Sequence, residues 1–295
     1  MQDFTYYAQL LISGITVGSL YALIAIGYTM VYGILRLINF AHGDMFMVAG
    51  FFMIYITSST SIYVGLPLTL ILTVILGVLI EKTAYKPLRQ APRMSVMISA
   101  IGVSYLLQNL ATYVTGGLAR AYPNIPWLTE KITIGGIQMK RLAVITPILT
   151  ILLVIGLVLL IKHTKMGMAM RAVAKDFDTA QLMGIKIDRV ISFTFIIGSL
   201  LAAVGSVLYF SNYGQVSPTI GSMPGLKSFV AAVFGGIGSV PGAVIGAYVI
   251  GICETFIKSN NEYAIFSNAF TFALLILILL IKPNGLFGEK LKEKV

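Results

Sequence analysis

Long uninterrupted apolar runs constrain this chain more than any other feature. Ala143–Ile161, Val190–Phe210 and Ala264–Ile281 contain no Asp, Glu, Lys or Arg apart from Arg189, which borders the second run. A helix needs roughly 20 apolar residues to cross about 30 Å of hydrocarbon. Charged residues make up 11% of the 295 residues, against about 25% in soluble domains. The sequence therefore predicts an all-α, polytopic transmembrane helix bundle that forms a single domain over residues 1–295.

We expect eight to ten membrane segments, some of them broken or re-entrant. The first apolar stretch lacks a basic n-region and is too long for a signal-peptide core, which predicts a retained first helix. The predicted spans are 6–34, 40–57, 62–81, 95–116, 142–162, 190–210, 222–238, 241–257 and 264–281.

The distribution of Lys and Arg predicts the orientation. Fifteen of the 21 basic residues fall in Leu35–Asn39, Glu81–Arg93, Lys162–Arg189 and Lys282–Val295. Basic loops stay on the cytoplasmic side. The N-terminus is then outside and the C-terminus inside. A cytoplasmic loop covers about residues 163–189. The exoplasmic loop of about residues 117–141 contains Gly135–Gly136 and is either a hairpin, a short interfacial element or a plain connector.

Two segments interrupt the helical pattern. Asn39, His42 and Asp44 break the apolar sequence of Asn39–Gly50, and five glycines with a proline break Phe234–Ala247. Non-helical backbone at membrane depth occurs where it is buried in protein or lines a watery cavity. Both segments lead into a Gly/Ala-rich helix, which suggests an internal duplication of broken-helix elements.

Several enzyme classes lack their signatures. The chain has no H-E-x-x-H or C-x-x-C motif, and its two histidines, His42 and His163, lie in different segments, so a metal site would lack ligands. GSMPGLKS at Gly221–Ser228 lacks the Gly-Lys-Ser unit of a phosphate loop. Cys253 is the only cysteine. We expect no catalytic residue, metal or cofactor on this chain.

Polar residues inside spans are costly and often mark transport pathways. Gln108 and Asn109 either line such a pathway or make interhelical hydrogen bonds. Asp44 is expected to cap the helix that follows it, and His42 could pair with it. Glu254 lies near a span end, so we expect it to be solvated. Asn212 lies at a span exit.

The charged loop predicts a short amphipathic helix over Met166–Met183. Asp176 and Asp178 are candidate N-caps, Gly184 suits the position after the helix, and Asp188 could cap the next span. The polar face mixes acid, base and small residues, which favours docking on a soluble protein over lying on lipid. The apolar face consists of Val173, Phe177, Ala180, Met183 or Gly184, and Ile187.

Three stretches carry a family resemblance. DTA at Asp178–Ala180, followed by Gly184, is similar to the Glu-Ala-Ala-x3-Gly core of ABC importer permeases, although Asp178 and Thr179 replace Glu and Ala and the usual Leu-Pro is absent. With LINFAHGDMFMVAGFF and GLKSFVAAVFGGIGSVPGAVIGAYVIG, the chain resembles the permease of branched-chain amino acid ABC importers, the H-type subunit of the Liv system.

The resemblance implies an inner-membrane permease that translocates Leu, Ile or Val by alternating access. It implies four kinds of partner: an M-type permease, two ATP-binding subunits that hydrolyse ATP, a periplasmic binding protein and the bilayer. Urea or amide import, or an ion-coupled carrier, are the alternatives. The implied ATPase-coupling residues are Val173, Phe177, Asp178, Ala180 and Gly184. The implied path or gate residues are Asn39, His42, Asp44, Gln108, Asn109, Gly235, Gly236, Gly238 and Gly242.

Overall fold

The computed structural model describes residues 2–89, 91–134 and 137–288, and they form helices with two small two-stranded sheets. The elements in chain order are α1 Gln2–Leu35, α2 His42–Thr57, α3 Ile62–Ile80, a π-helical turn Glu81–Tyr85, a 3-10 turn Lys86–Leu88, α4 Arg93–Thr115, β1 Arg120–Ala121, α5 Pro126–Thr129, β2 Lys131–Ile134, β3 Ile137–Lys140, α6 Leu142–His163, α7 Lys165–Lys175, α8 Phe177–Leu182, α9 Ile187–Tyr213, β4 Gln215–Val216, α10 Ser222–Gly235, α11 Val240–Ser259, a 3-10 turn Ala264–Phe266 and α12 Ser267–Ile281.

Seven helices in the described ranges are long and apolar enough to cross a membrane: α1, α3, α4, α6, α9, α11 and α12 with its preceding turn. The shorter α2 and α10 account for the remaining two of the nine predicted spans, so the prediction of a polytopic helix bundle is confirmed. Because α6 crosses between them, residues 117–134 and 137–141 lie on the opposite side from residues 164–186. We call these sides the hairpin face and the loop face.

The helices α1 and α9 form the centre of the bundle. Residues from Leu20 to Val31 of α1 are buried on all sides, as expected for a helix that is apolar around its whole circumference. The two helices cross antiparallel, because Gly27 lies near Gly198 and Leu23 lies near Gly205. Outer helices such as α6 and α12 expose most of their apolar surface.

Two halves of the chain repeat one packing plan. In the second half, α9 corresponds to α1, α10 to α2 and α11 to α3. Helix α1 packs on α11, and likewise α9 packs on α3. Helix α2 packs on α9, and likewise α10 packs on α1. Since α1 and α9 are antiparallel, the halves α1–α4 and α9–α12 form an inverted repeat. Residues 43–52 read GDMFMVAGFF and residues 225–234 read GLKSFVAAVF, with Gly, Val, Ala and Phe shared at four positions.

The internal duplication is therefore present, but the predicted pairing was wrong. The counterpart of the α2 start is the α10 start, not Phe234–Ala247. Gly43 of α2 contacts the first turn of α10, and a Cβ there would lie 2.7 Å from the Gly221 carbonyl oxygen and 3.0 Å from Gly225 Cα. Residues 234–247 instead comprise the end of α10, the turn at residues 236–239 and the first turns of α11.

Glycine permits a close crossing of α1 and α11. A Cβ on Gly14 or Gly18 of α1 would approach the backbone of Ile252 or Tyr248 of α11 to 2.9 or 2.8 Å. Small residues four apart allow this kind of close approach between membrane helices.

The hairpin face carries a β-hairpin, β2 with β3, which replaces the plain connector among the predicted alternatives. Its tip, Gly135–Gly136, lies outside the described residues. The strand β1 pairs with β4, which ties this loop to the chain that leaves α9.

Candidate functional site

The N-terminal turns of α2 and α10 meet in the interior of the bundle. Met45 of α2 lies level with Gly77 of α3, which contacts Ser199 near the middle of α9. The two short helices run from this junction toward opposite faces. Helix N-termini carry partial positive charge, and discontinuous helices that present their ends at the membrane midplane are a recurrent feature of transporter binding sites.

The break before α2 is held in place by Asn39. Tyr85 Oη donates to Asn39 Oδ1 at 2.8 Å, and the Asn39 carbonyl oxygen accepts from His42 N at 3.1 Å. Arg36 has a left-handed backbone, with φ 53°, which turns the chain away from α1. The predicted polar interruption is thus a bend that returns the chain into the bundle.

Asp44 is the centre of a polar network at this junction. Ser104 Oγ of α4 donates to Asp44 Oδ2 at 2.5 Å, and Gln108 Nε2 donates to Asp44 Oδ1 at 3.0 Å. The same Gln108 nitrogen lies 3.3 Å from Ser222 Oγ of α10. The expectation that Asp44 caps α2 was wrong, since Ala41 is the N-cap and no side chain bonds there. Asp44 lies in the first turn of α2 and accepts hydrogen bonds from α4.

His42 does not pair with Asp44. Its ring packs edge-on against Tyr28, with 4.9 Å between the ring centroids, and it covers Gly27 so closely that a side chain at Gly27 has no room. His42 is 1% exposed. It fills the crossing between α1 and α9.

The other predicted path residues lie elsewhere. Asn109 is exposed and donates to the Tyr105 carbonyl of its own helix at 2.7 Å. The remaining four predicted path residues are glycines. They lie in or beside the loop-face turn between α10 and α11: Gly235, Gly236, Gly238 and Gly242.

That turn is closed by the chain near its C-terminal end. Leu286 N donates to the Phe234 carbonyl at 3.0 Å, and Phe287 N donates to the Gly235 carbonyl at 2.9 Å. Gly236 has φ +106°. The glycines here allow backbone to pack on backbone.

Asn212 lines a separate recess. The recess has a volume of about 340 Å³ and lies between α1, α6 and β3 on the hairpin face, with Gln9, Thr16 and Lys140 among its lining residues. It does not include Asp44 or Gln108.

The loop-face segment forms two helices rather than one. α7 ends at Lys175, and Asp176 N-caps α8 by accepting from Thr179 N at 3.0 Å. Gly184 follows α8 with φ +82°. These findings confirm the predicted roles of Asp176 and Gly184, while the single helix over Met166–Met183 was wrong because the Asp176 cap starts a new helix.

The predicted coupling residues differ in exposure. Val173 is 1% exposed and Ala180 is 4% exposed, so both pack inside the chain. Phe177 is partly buried, and Asp178 and Gly184 are exposed. The prominent apolar surface of this segment is instead formed by Leu182 and Met183, which are 88% and 79% exposed. The two residues were not predicted as a coupling pair.

Asp188 was expected to cap α9, and this was wrong. Lys186 is the N-cap position and no side chain caps it. Asp188 instead forms ion pairs with Lys86 at 2.7 Å and with Arg89. Arg89 also pairs with the buried Glu81, so the chain that leaves the loop is tied to the end of α3.

A buried ion pair on the hairpin side was also missed. Glu254 was expected to be solvated, but it is 2% exposed. Lys227 Nζ lies 2.6 Å from Glu254 Oε1, Lys258 pairs with the same oxygen, and Tyr21 Oη donates to Oε2 at 2.9 Å. The sequence contains a signal for this pair, because Lys227 and Glu254 are charged residues in two otherwise apolar stretches. Those stretches are α10 and α11, which pack against each other.

The chain has an inverted repeat of membrane helices, in which two half-helices meet in the interior of the bundle and a polar network lies at their junction. These features define the class of polytopic membrane permeases. The sequence matches the family described as branched-chain amino acid transport system / permease component over residues 10–279, and the chain belongs to that family.

Curated relatives span the whole chain. It is 40% identical to the high-affinity branched-chain amino acid transport system permease protein LivH of Salmonella typhimurium, covering 100% of this chain and 99% of the relative. It is 39% identical to BraD of Pseudomonas aeruginosa, a permease protein of the same description, with 100% of both chains covered. The xylose transport system permease protein XylH of Escherichia coli is 32% identical over 42% of this chain and 34% of that protein.

Proposed function

We propose that this chain is the membrane-spanning permease subunit of an ATP-driven importer of branched-chain amino acids. The observation that carries the proposal is the full-length similarity, at 39–40% identity, to relatives named as high-affinity branched-chain amino acid permeases. The inverted repeat supports alternating access, because two packed halves can rock against each other around a fixed central junction.

The proposed importer has three kinds of protein partner for this chain. An M-type permease pairs with this chain in the membrane, two ATP-binding subunits dock on the loop face, and a periplasmic binding protein delivers the amino acid at the hairpin face. The loop face is then cytoplasmic, in agreement with its excess of basic residues. ATP is hydrolysed on the partner subunits, and this chain supplies the route and the conformational change.

The docking surface for an ATP-binding subunit is the exposed pair Leu182 and Met183. They end α8 and lie beside the left-handed Gly184, while the buried Val173 and Ala180 fix the loop to the bundle. Apolar side chains presented by a short capped helix suit a groove on a protein partner.

Two alternatives remain to be tested. An ion-coupled carrier needs buried acidic groups that are free to bind an ion. Glu81 and Glu254 are paired with basic side chains, so Asp44 is the one buried acidic group in the described residues that such a carrier could use. An importer of urea or short amides would share the architecture. The transported molecule therefore has to be measured.

The test of the function is uptake by the reconstituted complex. The chain is purified with its partners, placed in liposomes loaded with ATP, and given radiolabelled leucine or urea with the cognate binding protein. ATP-dependent leucine uptake is expected. ATP-dependent urea uptake without leucine uptake would establish the amide importer, and leucine uptake that ignores ATP but follows an ion gradient would establish the carrier.

The docking surface is tested separately by co-purification. Met183→Arg introduces a charge into the proposed apolar contact and is expected to reduce the bound ATP-binding subunits at least about tenfold. Trp127→Arg, an exposed apolar site on the opposite face, is the matched control and should leave the complex intact. Equal retention by both variants would exclude Leu182 and Met183 as the docking surface.

A further inference from the structure

The amide nitrogen of Gln108 lies among three oxygens from three helices. They are Asp44 Oδ1 at 3.0 Å, Ser222 Oγ at 3.3 Å and Ser104 Oγ at 3.4 Å. An amide nitrogen has two hydrogens to donate, whereas a primary ammonium has three. The arrangement of acceptors therefore suits an ammonium group better than the amide that occupies it.

The charge at this position also favours a cation. In the described part of the chain, Asp44 forms no ion pair, and it accepts side-chain hydrogen bonds from the neutral Ser104 and Gln108. Glu81 and Glu254, the other two buried acidic residues there, are each paired with a basic side chain. A buried carboxylate without a cationic partner is costly, and the positive end of α2 offsets only part of that cost.

The site is accessible from one side. Asp44 is 2% exposed, but Ser222 is exposed and Gln108 is partly exposed. Rotation of the Gln108 side chain would open the way from Ser222 to the carboxylate. The three oxygens come from both halves of the inverted repeat, since Asp44 and Ser104 belong to α2 and α4 and Ser222 to α10.

We propose that this cluster of Asp44, Ser104 and Ser222 binds the α-ammonium group of an aliphatic amino acid in transit, in place of the Gln108 amide. The inference rests on the proposed import of branched-chain amino acids and gives it a recognition site within the membrane. A sugar or urea has no ammonium group to satisfy Asp44. The permease itself then discriminates between substrate classes, in addition to the binding protein.

The test is Asp44→Asn in the reconstituted complex, because Asn keeps the size and loses the charge. Leucine uptake is expected to fall about tenfold or more, since a charge-assisted hydrogen bond is lost. ATPase stimulation by leucine-loaded binding protein is expected to persist, because the docking faces are unchanged. Asp44→Glu, which retains the charge, should recover part of the uptake.

Matched variants on the same helices sharpen the result. Ser222→Ala should lower uptake by a few-fold, roughly the effect of one hydrogen bond. Thr112→Val on α4, whose hydroxyl donates to the Gln108 carbonyl of its own helix, should leave uptake unchanged. Replacement of external Na⁺ by choline should also have no effect.

Each contrary outcome has a separate meaning. Normal leucine uptake by Asp44→Asn overturns the ammonium site and leaves the importer standing. Loss of both uptake and ATPase stimulation in that variant also overturns it, because Asp44 would then support the bundle. A strict requirement for Na⁺ assigns the cluster to a metal cation instead. Absence of leucine uptake by the unaltered complex rejects the proposed function and the ammonium site together.

Discussion

Each half of the repeat has a buried glutamate in the second part of its third helix or just after that helix. In the first half, Glu81 follows Gly77 at the end of α3 and accepts from Ser192 of α9 at 2.9 Å. In the second half, Glu254 follows Gly251 in α11 and accepts from Tyr21 of α1. Each glutamate therefore joins its own half to the first helix of the other half.

The surroundings of the two positions differ. A Cβ on Gly251 would overlap the backbone of Gly18, whereas a Cβ on Gly77 would meet the hydroxyl of Ser199, which can rotate away, and Ser199 Cβ at 2.8 Å, which cannot. The α3–α9 contact on the loop side is therefore softer than the α1–α11 contact on the hairpin side. The softer contact is the one linked, through Arg89 and Asp188, to the loop that carries Leu182 and Met183.

The largest expected effect comes from the buried ion pair. Glu254→Gln leaves Lys227 buried without its counter-charge, and it should destabilise the protein by about 3–5 kcal/mol. The measurement is the thermal unfolding midpoint in detergent. Lys227→Met/Glu254→Gln should recover much of the loss, because neither charge then remains. An unchanged midpoint for Glu254→Gln would show that the pair contributes nothing to the stability of the second half.

An intermediate effect is expected at the glycines. Gly251→Ala should cost about 1–3 kcal/mol, the usual penalty of overpacking, because the Gly18 backbone cannot move away. Gly77→Ala should cost less than Gly251→Ala, because the Ser199 hydroxyl can rotate, and Ser199→Ala should recover only part of the cost, because the Cβ of residue 199 stays 2.8 Å from the added methyl group. Unfolding midpoints of the single and double variants check the order. Equal costs for the two alanines would remove the distinction between a soft and a rigid contact.

The smallest effect is expected at the exposed end of the Arg89 network. Asp188 is 57% exposed, so Asp188→Asn should cost under about 1 kcal/mol. Glu130→Gln, which breaks the exposed Glu130–Arg141 pair on the hairpin face, is the matched control and should behave alike. A loss for Asp188→Asn as large as that for Glu254→Gln would mean that the two ends of the bundle are equally rigid.

Much of the fold could be predicted because its signal is local. Apolar runs predicted the seven long helices and the shorter α2 and α10, and the polar interruption at Asn39–Asp44 predicted the break before α2. The partner of that break was not local. Gly43 contacts Gly221 and Gly225 across a long stretch of chain, and the more obvious glycine cluster at 234–247 suggested a wrong pairing.

The site was predicted only in part, for the same reason. Asp44 and Gln108 were selected because each is polar within an apolar segment, but Ser104 and Ser222 are too small and common to be noticed without the contact. The amphipathic pattern of the loop identified an apolar face without indicating that Val173 and Ala180 pack against the bundle. Glu254 was misjudged because its partners, Tyr21 and Lys227, lie on other helices.

The closure of the α10–α11 turn has a consequence for biosynthesis. The carbonyls of Phe234 and Gly235 accept from Leu286 and Phe287, which the ribosome adds only after α11 and α12 have been made. The loop-face end of α10 therefore acquires these two hydrogen bonds only after α12 has been synthesised. The turn between α10 and α11 is closed late, by the part of the chain that is made last.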